Sequence, residues 1–249
     1  MGENIPPLII GIDEAGRGPV IGDLVIGIIG IEKETESNLV SIGVKDSKML
    51  TSYQRTVLLK HVLNRSIFVL TLHITPPEID ASKNINQLLA TKILASFYIL
   101  EQLIHRYKRV EVYIDEIKGT KQFIERELSE LFGKELVSFV MEPDADKKYI
   151  VVSAASIVAK TFRDQNLFFL KQVFGELGSG YPSDPKTRSW LINAYNTYMS
   201  PPKIVRRSWA TLKSIAPKWY IDKRGLKKTK TILDFLGEIS NGNESASRS

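Results

Sequence analysis

The chain is most constrained at residues 8–19. There the apolar run Leu8-Ile9-Ile10-Gly11-Ile12 ends abruptly in Asp13 and Glu14, and Ala15-Gly16-Arg17-Gly18-Pro19 follows. Five residues without a polar interruption read as a strand buried on both faces, the kind found inside a parallel or mixed sheet. Carboxylates at such a strand's tip attract cations. Glycines just beyond let the backbone lie against a ligand, so the stretch suits a metal-and-phosphate site.

The partners of this strand are readable in chain order. Residues 20–31 form a β-branched run punctuated by Gly22, Gly27 and Gly30, which predicts a second strand bulged at a glycine, with Asp23 inside it facing outward. Thr51 and Gln54 make a capping box for a helix to about Leu63. Residues 67–74 pattern as a third strand, stopped by Pro76-Pro77. Residues 84–107 form a long helix, with Leu89, Ile93, Phe97, Leu100, Ile104 and Tyr107 along one face. Then Val110-Glu111-Val112-Tyr113-Ile114 is a strand that, like the first, closes on an acid pair, Asp115 and Glu116.

A helix over 120–132, a strand over 136–141 and a helix over 150–173 complete the pattern. The later strand–helix–strand units imply parallel pairing, and ligands then sit beyond the carboxyl ends of the strands. Asp13 and Asp115 both stand at such ends. The loop Pro143-Asp144-Ala145-Asp146 adds two acids just before the small-residue helix Ser153-Ala154-Ala155-Ser156. A Gly/Ser/Pro-rich loop over 175–185, a helix capped by Ser183 or Asp184, and a short helix over 208–216 follow. Residues 229–237 pattern as a last helix, and residues 238–249 have a disordered composition.

Composition restricts the chemistry. There are no cysteines, and the three histidines, His61, His73 and His105, are not at ligand spacing. A metal would be held by oxygens, which favours Mg2+ or Mn2+ over zinc. The net charge is +6, and between Lys203 and Lys230 ten basic residues face a single acid, Asp222, with Trp209, Trp219 and Tyr220 interleaved. Such a segment suits contact with a nucleic-acid backbone, the tryptophans serving as packing residues. No apolar run approaches the ~20 residues that span a bilayer. Residues 1–7 lack the features of a signal peptide, so the expectation is a soluble, cytoplasmic, monomeric protein.

Together these stretches resemble type 2 ribonuclease H, ribonuclease HII. The resemblance is carried by Ile12-Asp13-Glu14-Ala15-Gly16-Arg17-Gly18-Pro19, Asp46-Ser47-Lys48, the strand ending at Asp115, Ala145-Asp146, and residues 153–160 with Arg163-Asp164. Residues 178–185 and Arg206-Arg207-Ser208-Trp209 resemble its archaeal branch. The resemblance implies a ribonuclease H-like α/β fold: a five-stranded mixed sheet flanked by helices, with a helical C-terminal region. It divides the chain into a catalytic core (1–175), a substrate-binding region (176–222) and a basic, partly disordered tail (223–249).

It further implies that Asp13, Glu14, Asp115 and Asp146 bind magnesium or manganese, that Gly16, Arg17 and Gly18 read a ribose 2′-hydroxyl through the backbone, that Tyr181 packs on the next sugar, and that Lys48 lies near the phosphate. Glu116 competes with Asp115, and Asp144 with Asp146. The substrates implied are RNA–DNA hybrids and DNA duplexes containing ribonucleotides. Arg163 and Asp164 read as a structural pair. Residues 229–236 are apolar and near the end, where a replication clamp would dock, but lack the glutamine and paired aromatics of such motifs. Rival readings are a type 3 enzyme, for whose extra N-terminal domain the start at Leu8 leaves no room, a non-enzymatic duplex-binding module, and a phosphoacceptor domain. Cleavage of a duplex with one embedded ribonucleotide, and its loss on Asp13→Asn, separates them.

Overall fold

The structure, a computed structural model, describes residues 6–44 and 50–225. Chain order runs β1 (Leu8–Ala15), β2 (Leu24–Glu32), α1 (Thr35–Ser41), α2 (Ser52–Leu63), β3 (Phe68–Ile74), α3 (Pro76–Ala81), α4 (Ile85–Ile104), β4 (Val110–Asp115) and α5 (Lys121–Phe132). There follow β5 (Val137–Glu142), α6 (Ala145–Lys148), α7 (Ile150–Phe174), α8 (Pro185–Thr197) and α9 (Leu212–Ile215). The strands form one sheet in the order β3-β2-β1-β4-β5. β1 is antiparallel to β2 and parallel to β4, so the sheet is mixed, as expected.

Each face of the sheet has its own apolar layer. Leu8, Ile10 and Ile12 of β1 meet α4 and α5, whose buried stripes include Leu89, Ile93, Phe97 and Leu128. Ile9 faces the other way, toward α7, α1 and α2. This alternation fixes where each acid at the strand tip must point. The long α7 lies almost on the backbone of the sheet. A Cβ at Gly11 would stand 2.3 Å from the Val151 carbonyl oxygen, and one at Gly27 would stand 2.5 Å from that of Ala155. Gly11 and Gly27 thus make room for the helix backbone at Val151 and Ala155.

That contact corrects the reading of β2. Its register against β1 runs unbroken from Leu8↔Glu32 to Ala15↔Val25, with no bulge. Gly27 admits α7, and Gly30 admits the ring of Phe68. Asp23 precedes the strand, and its carboxylate turns to His73 Nδ1 (3.0 Å) and accepts from Asn166 Nδ2 (3.1 Å). Pro76-Pro77 ends β3 but also opens α3, capped by Thr75 and Glu78. By length and composition α4 could cross a membrane, contrary to the expectation that no such run exists; its apolar stripe is taken up by the sheet, which leaves half of it buried.

A third apolar cluster, with Leu177, Leu191, Leu212 and Trp219, packs the C-terminal helices onto Val20 and Ile21. The expected helix over 208–216 shortens to α9, because residues 206–209 are pinned as a turn. Asp80 of α3 accepts from Arg207 N–H (2.8 Å), Ser208 N–H (2.9 Å) and Ser208 Oγ (2.7 Å). The basic segment is also less available than its charge suggests. Arg206 is fully buried, Arg207 Nε donates to the Trp219 carbonyl, Lys223 Nζ to that of Ile79, and Arg224 pairs with Asp222. Lys203, Lys213 and Lys218 remain exposed.

Candidate active site

The site forms where β1 and β4 end side by side. Their parallel register pairs Ile12 with Ile114, so Asp13 and Asp115 follow as neighbours. Both belong to the α7 side of the sheet, with Ile9 and Tyr113. Glu14, next in line, is on the α4 side with Ile12. The sheet edge therefore carries carboxylates on both faces.

Asp13 is 7% exposed, and its Oδ1 accepts the Glu14 N–H at 2.8 Å. Burial, then the charges of Glu14 and Asp115, push its carboxyl up to about 7. Burial also raises Glu14, against the pull of Arg17. Asp115 Oδ1 accepts the Ala145 N–H at 2.9 Å, which ties the tip of β4 to α6. Asp146, on α6, is 4% exposed, and Ser153 Oγ donates to its carbonyl. The competing acids lie outward: Glu116 is exposed, and Asp144, in the left-handed region at φ 56°, is exposed and pairs with Lys147 at 2.9 Å. The Ser156 hydroxyl, buried on α7, faces Asp13 and pulls its carboxyl part of the way back down.

The loop after β1 doubles back. Gly16 has φ +89°, and a Cβ there would meet the Asp23 carbonyl at 2.8 Å, so only glycine fits. Arg17 returns to the strand: its Nη2 donates to Glu14 Oε1 at 2.7 Å and its Nη1 to Asn86 Oδ1 at 2.5 Å. Gly18 lies under the Tyr181 ring, which a Cβ would meet at 3.1 Å. The Arg163 guanidinium lies 5.3 Å from the centre of that ring and donates to the Ser179 carbonyl at 2.7 Å.

Residues 14–18 and Tyr181 line a cleft of about 400 Å³ together with Arg55, Lys160, Arg163 and Asp164; of the four expected metal-binding acids only Glu14 is in its lining. Arg163 and Asp164 are paired at 3.1 Å, as expected, but they also face this cleft. Arg55 joins them, its Nη2 2.6 Å from Asp164 Oδ2. Sequence reasoning passed over Lys160, Arg163 and Asp164 as a group, although their spacing places them on one helical face. Nothing in the sequence singles out Arg55. His61, His73 and His105 stand apart from the cleft. Lys48 and residues 229–236 lie outside the described residues.

The donor set fits a hard divalent cation. It offers oxygen alone, and its buried like charges raise one another until a cation compensates them. As they stand, no three acids or histidines among the described residues enclose a metal position, so binding an ion would draw carboxylates together.

Comparison with known proteins identifies the family. The family model described as Ribonuclease HII matches residues 10–212. The Ribonuclease HII of Sulfurisphaera tokodaii is 39% identical over 220 residues, covering 87% of this chain and 99% of the relative. The crystal structure of the ribonuclease H2 from Pyrococcus horikoshii OT3 superposes with a TM-score of 0.75 at 40% identity, over 85% of this chain and 98% of that one. The RNase HII in the PCNA:RNase HII complex from Archaeoglobus fulgidus gives a TM-score of 0.69 at 35% identity, over 81% and 95% of the two chains. The chain belongs to the ribonuclease HII family and is a metal-dependent ribonuclease H, an endoribonuclease acting on RNA–DNA hybrids.

Proposed function

We propose that the cleft at the ends of β1 and β4 cuts the RNA strand of hybrids and also cuts 5′ of single ribonucleotides embedded in duplex DNA, leaving 3′-hydroxyl and 5′-phosphate ends. The observation that carries this reading is the meeting of Asp13, Glu14 and Asp115 at the ends of β1 and β4, with Glu14 opening onto the cleft that the Gly16–Gly18 loop and Tyr181 line. Asp13, Glu14, Asp115 and Asp146 would hold Mg2+ or Mn2+. Two such ions, when bound, activate a water and stabilise the leaving oxygen of a phosphodiester.

The chain's own groups do the rest. Backbone groups of Gly16, Arg17 and Gly18 take the 2′-hydroxyl, the one group that distinguishes RNA from DNA. Tyr181 packs on the following sugar. Lys48 serves the phosphate, and residues 176–222 hold the duplex through exposed lysines, with little sequence preference. A sliding clamp is a second partner, on the analogy of the Archaeoglobus complex. The enzyme would serve replication and ribonucleotide excision in the cytoplasm, as a monomer.

The test is cleavage of an end-labelled DNA duplex carrying one ribonucleotide, beside an all-DNA duplex and a continuous hybrid. Cutting 5′ of the ribonucleotide with Mg2+ or Mn2+, abolished by chelator and by Asp115→Asn, supports the reading. Cutting of hybrid alone, or of all-DNA duplex, overturns it.

A further inference from the structure

Three consecutive carbonyls of the loop are each held by a side chain from one short C-terminal turn. Arg206 Nη2 donates to the Gly16 carbonyl at 2.7 Å, and its Nη1 to that of Arg17 at 3.1 Å. Trp209 Nε1 donates to the Gly18 carbonyl at 2.9 Å. Arg206 Nε takes a further carbonyl, Gly22, at 2.9 Å. The Arg206 side chain is wholly buried, and its guanidinium lies 4.9 Å from the centre of the Trp209 ring. The turn is itself fixed: Arg206 N–H donates to the Val20 carbonyl, Ile21 bridges to Val205, and Asp80 grips residues 207 and 208.

In a trans peptide the N–H points opposite to the C=O. Holding the Gly16 and Arg17 carbonyls from behind therefore turns the N–H groups of Arg17 and Gly18 away from Arg206, and both residues line the cleft. Gly18 precedes Pro19, which has no N–H to reorient. Its carbonyl, held by Trp209, fixes where the loop ends. A buried guanidinium is costly to desolvate, and a fork of donors matching successive carbonyls is what a lysine cannot supply.

We propose that Arg206 and Trp209 are positioning residues for ribose recognition: they set the orientation of the Gly16–Gly18 peptides and thereby the enzyme's preference for a 2′-hydroxyl. This rests on the reading of that loop as the group that meets the ribose. The turn does not line the cleft; it acts through the loop.

The experiment compares full-length wild type with Trp209→Phe, which keeps the ring and deletes the donor, with Arg206→Lys, which keeps the charge and loses the fork, and with Gly18→Ala, which alters the loop itself. For each, KM on the one-ribonucleotide duplex is measured together with the inhibition constant of the matching all-DNA duplex. The ratio of inhibition constant to KM reports discrimination by the 2′-hydroxyl. A merely structural role lowers the active fraction, and so kcat, without moving that ratio. The expected result is a ratio reduced about three- to tenfold in Trp209→Phe, as one hydrogen bond warrants, and further in Arg206→Lys, with a cooperative melt retained in Trp209→Phe. If Gly18→Ala lowers the ratio while Trp209→Phe and folded Arg206→Lys keep the wild-type value, the inference is overturned and the loop reading stands. If Gly18→Ala also leaves the ratio unchanged, the loop reading fails first. Should Arg206→Lys not fold, Trp209→Phe decides alone.

Discussion

Replacing Asp13 by asparagine should remove cleavage yet make the metal-free protein more stable. In the folded chain this carboxyl is raised from 3.8 to about 7 by burial and by the charges of Glu14 and Asp115. In the unfolded chain it titrates near its ordinary value. Between these limits the folded state binds the extra proton, so stability falls as pH rises from about 4 to about 7 and is level above that. A difference of roughly 3 pK units corresponds to at most about 4 kcal/mol, since the coupled acids share it. Asparagine carries no charge at any of these pH values, and its Oδ1 can still accept the Glu14 N–H. The variant's advantage should therefore grow from at most about 1–2 kcal/mol at pH 5 to at most about 4 kcal/mol at pH 8. Urea unfolding with chelator present measures it without screening the charges. Adding Mg2+ should then stabilise wild type at pH 8 and narrow the gap, because a cation relieves the same repulsion. A stability difference that does not change between pH 5 and pH 8 would refute the argument, since Asp13 would then titrate as an ordinary acid.

Three further outcomes follow from the geometry. Gly27→Ala should destabilise the fold by about 1–3 kcal/mol or more, because its Cβ would stand 2.5 Å from the Ala155 carbonyl and α7 would have to retreat; urea midpoints measure this. Tyr181→Ala should cut kcat/KM on a single embedded ribonucleotide by about tenfold or more, while Tyr181→Phe retains it. The ring is 40% exposed, so thermal melting should move little in either variant. Asp146→Asn should lose activity by a factor on the order of 10² in a gel cleavage assay, whereas Asp144→Asn, on an exposed acid paired with Lys147, should cut at the wild-type rate.

Much of the site was legible because its signals are local. An uninterrupted apolar run that ends in acids is a buried strand, which held for Leu8–Ala15, and the alternating run closed by an acid held as the strand Val110–Asp115. Parallel pairing of those strands, inferred from the strand–helix–strand order, made Asp13 and Asp115 neighbours. What escaped is set by distant partners. Gly27 and Gly30 read as a bulge, since a sequence shows a missing side chain but not whether Ala155 or Phe68 fills its space. Arg206 counted as one more cation in a basic run, whereas it lies buried against carbonyls almost two hundred positions away. Charge counted along a chain does not say which way a guanidinium points.

The same contacts put the loop proposed for recognition and the acids proposed for chemistry on one rigid piece. Gly16 is three residues from Asp13, and the intervening backbone belongs to β1, locked between two strands and under α7. Arg17 fastens the loop to Glu14 and Asn86 on one side, Arg206 and Trp209 hold its carbonyls from behind, and Tyr181 covers Gly18. A loop so held has few ways to adapt, so a sugar lacking the hydroxyl would leave fixed donors unmet rather than draw the loop to a new position. On the proposed reading, a ribose seated on the loop places the neighbouring phosphate at a set distance from the acids. Misplacement of a reacting group by about 1 Å is enough to slow a reaction by about 10². Discrimination would then come from where the backbone holds the substrate, not from any side chain that reads it, which suits an enzyme that must act at any sequence.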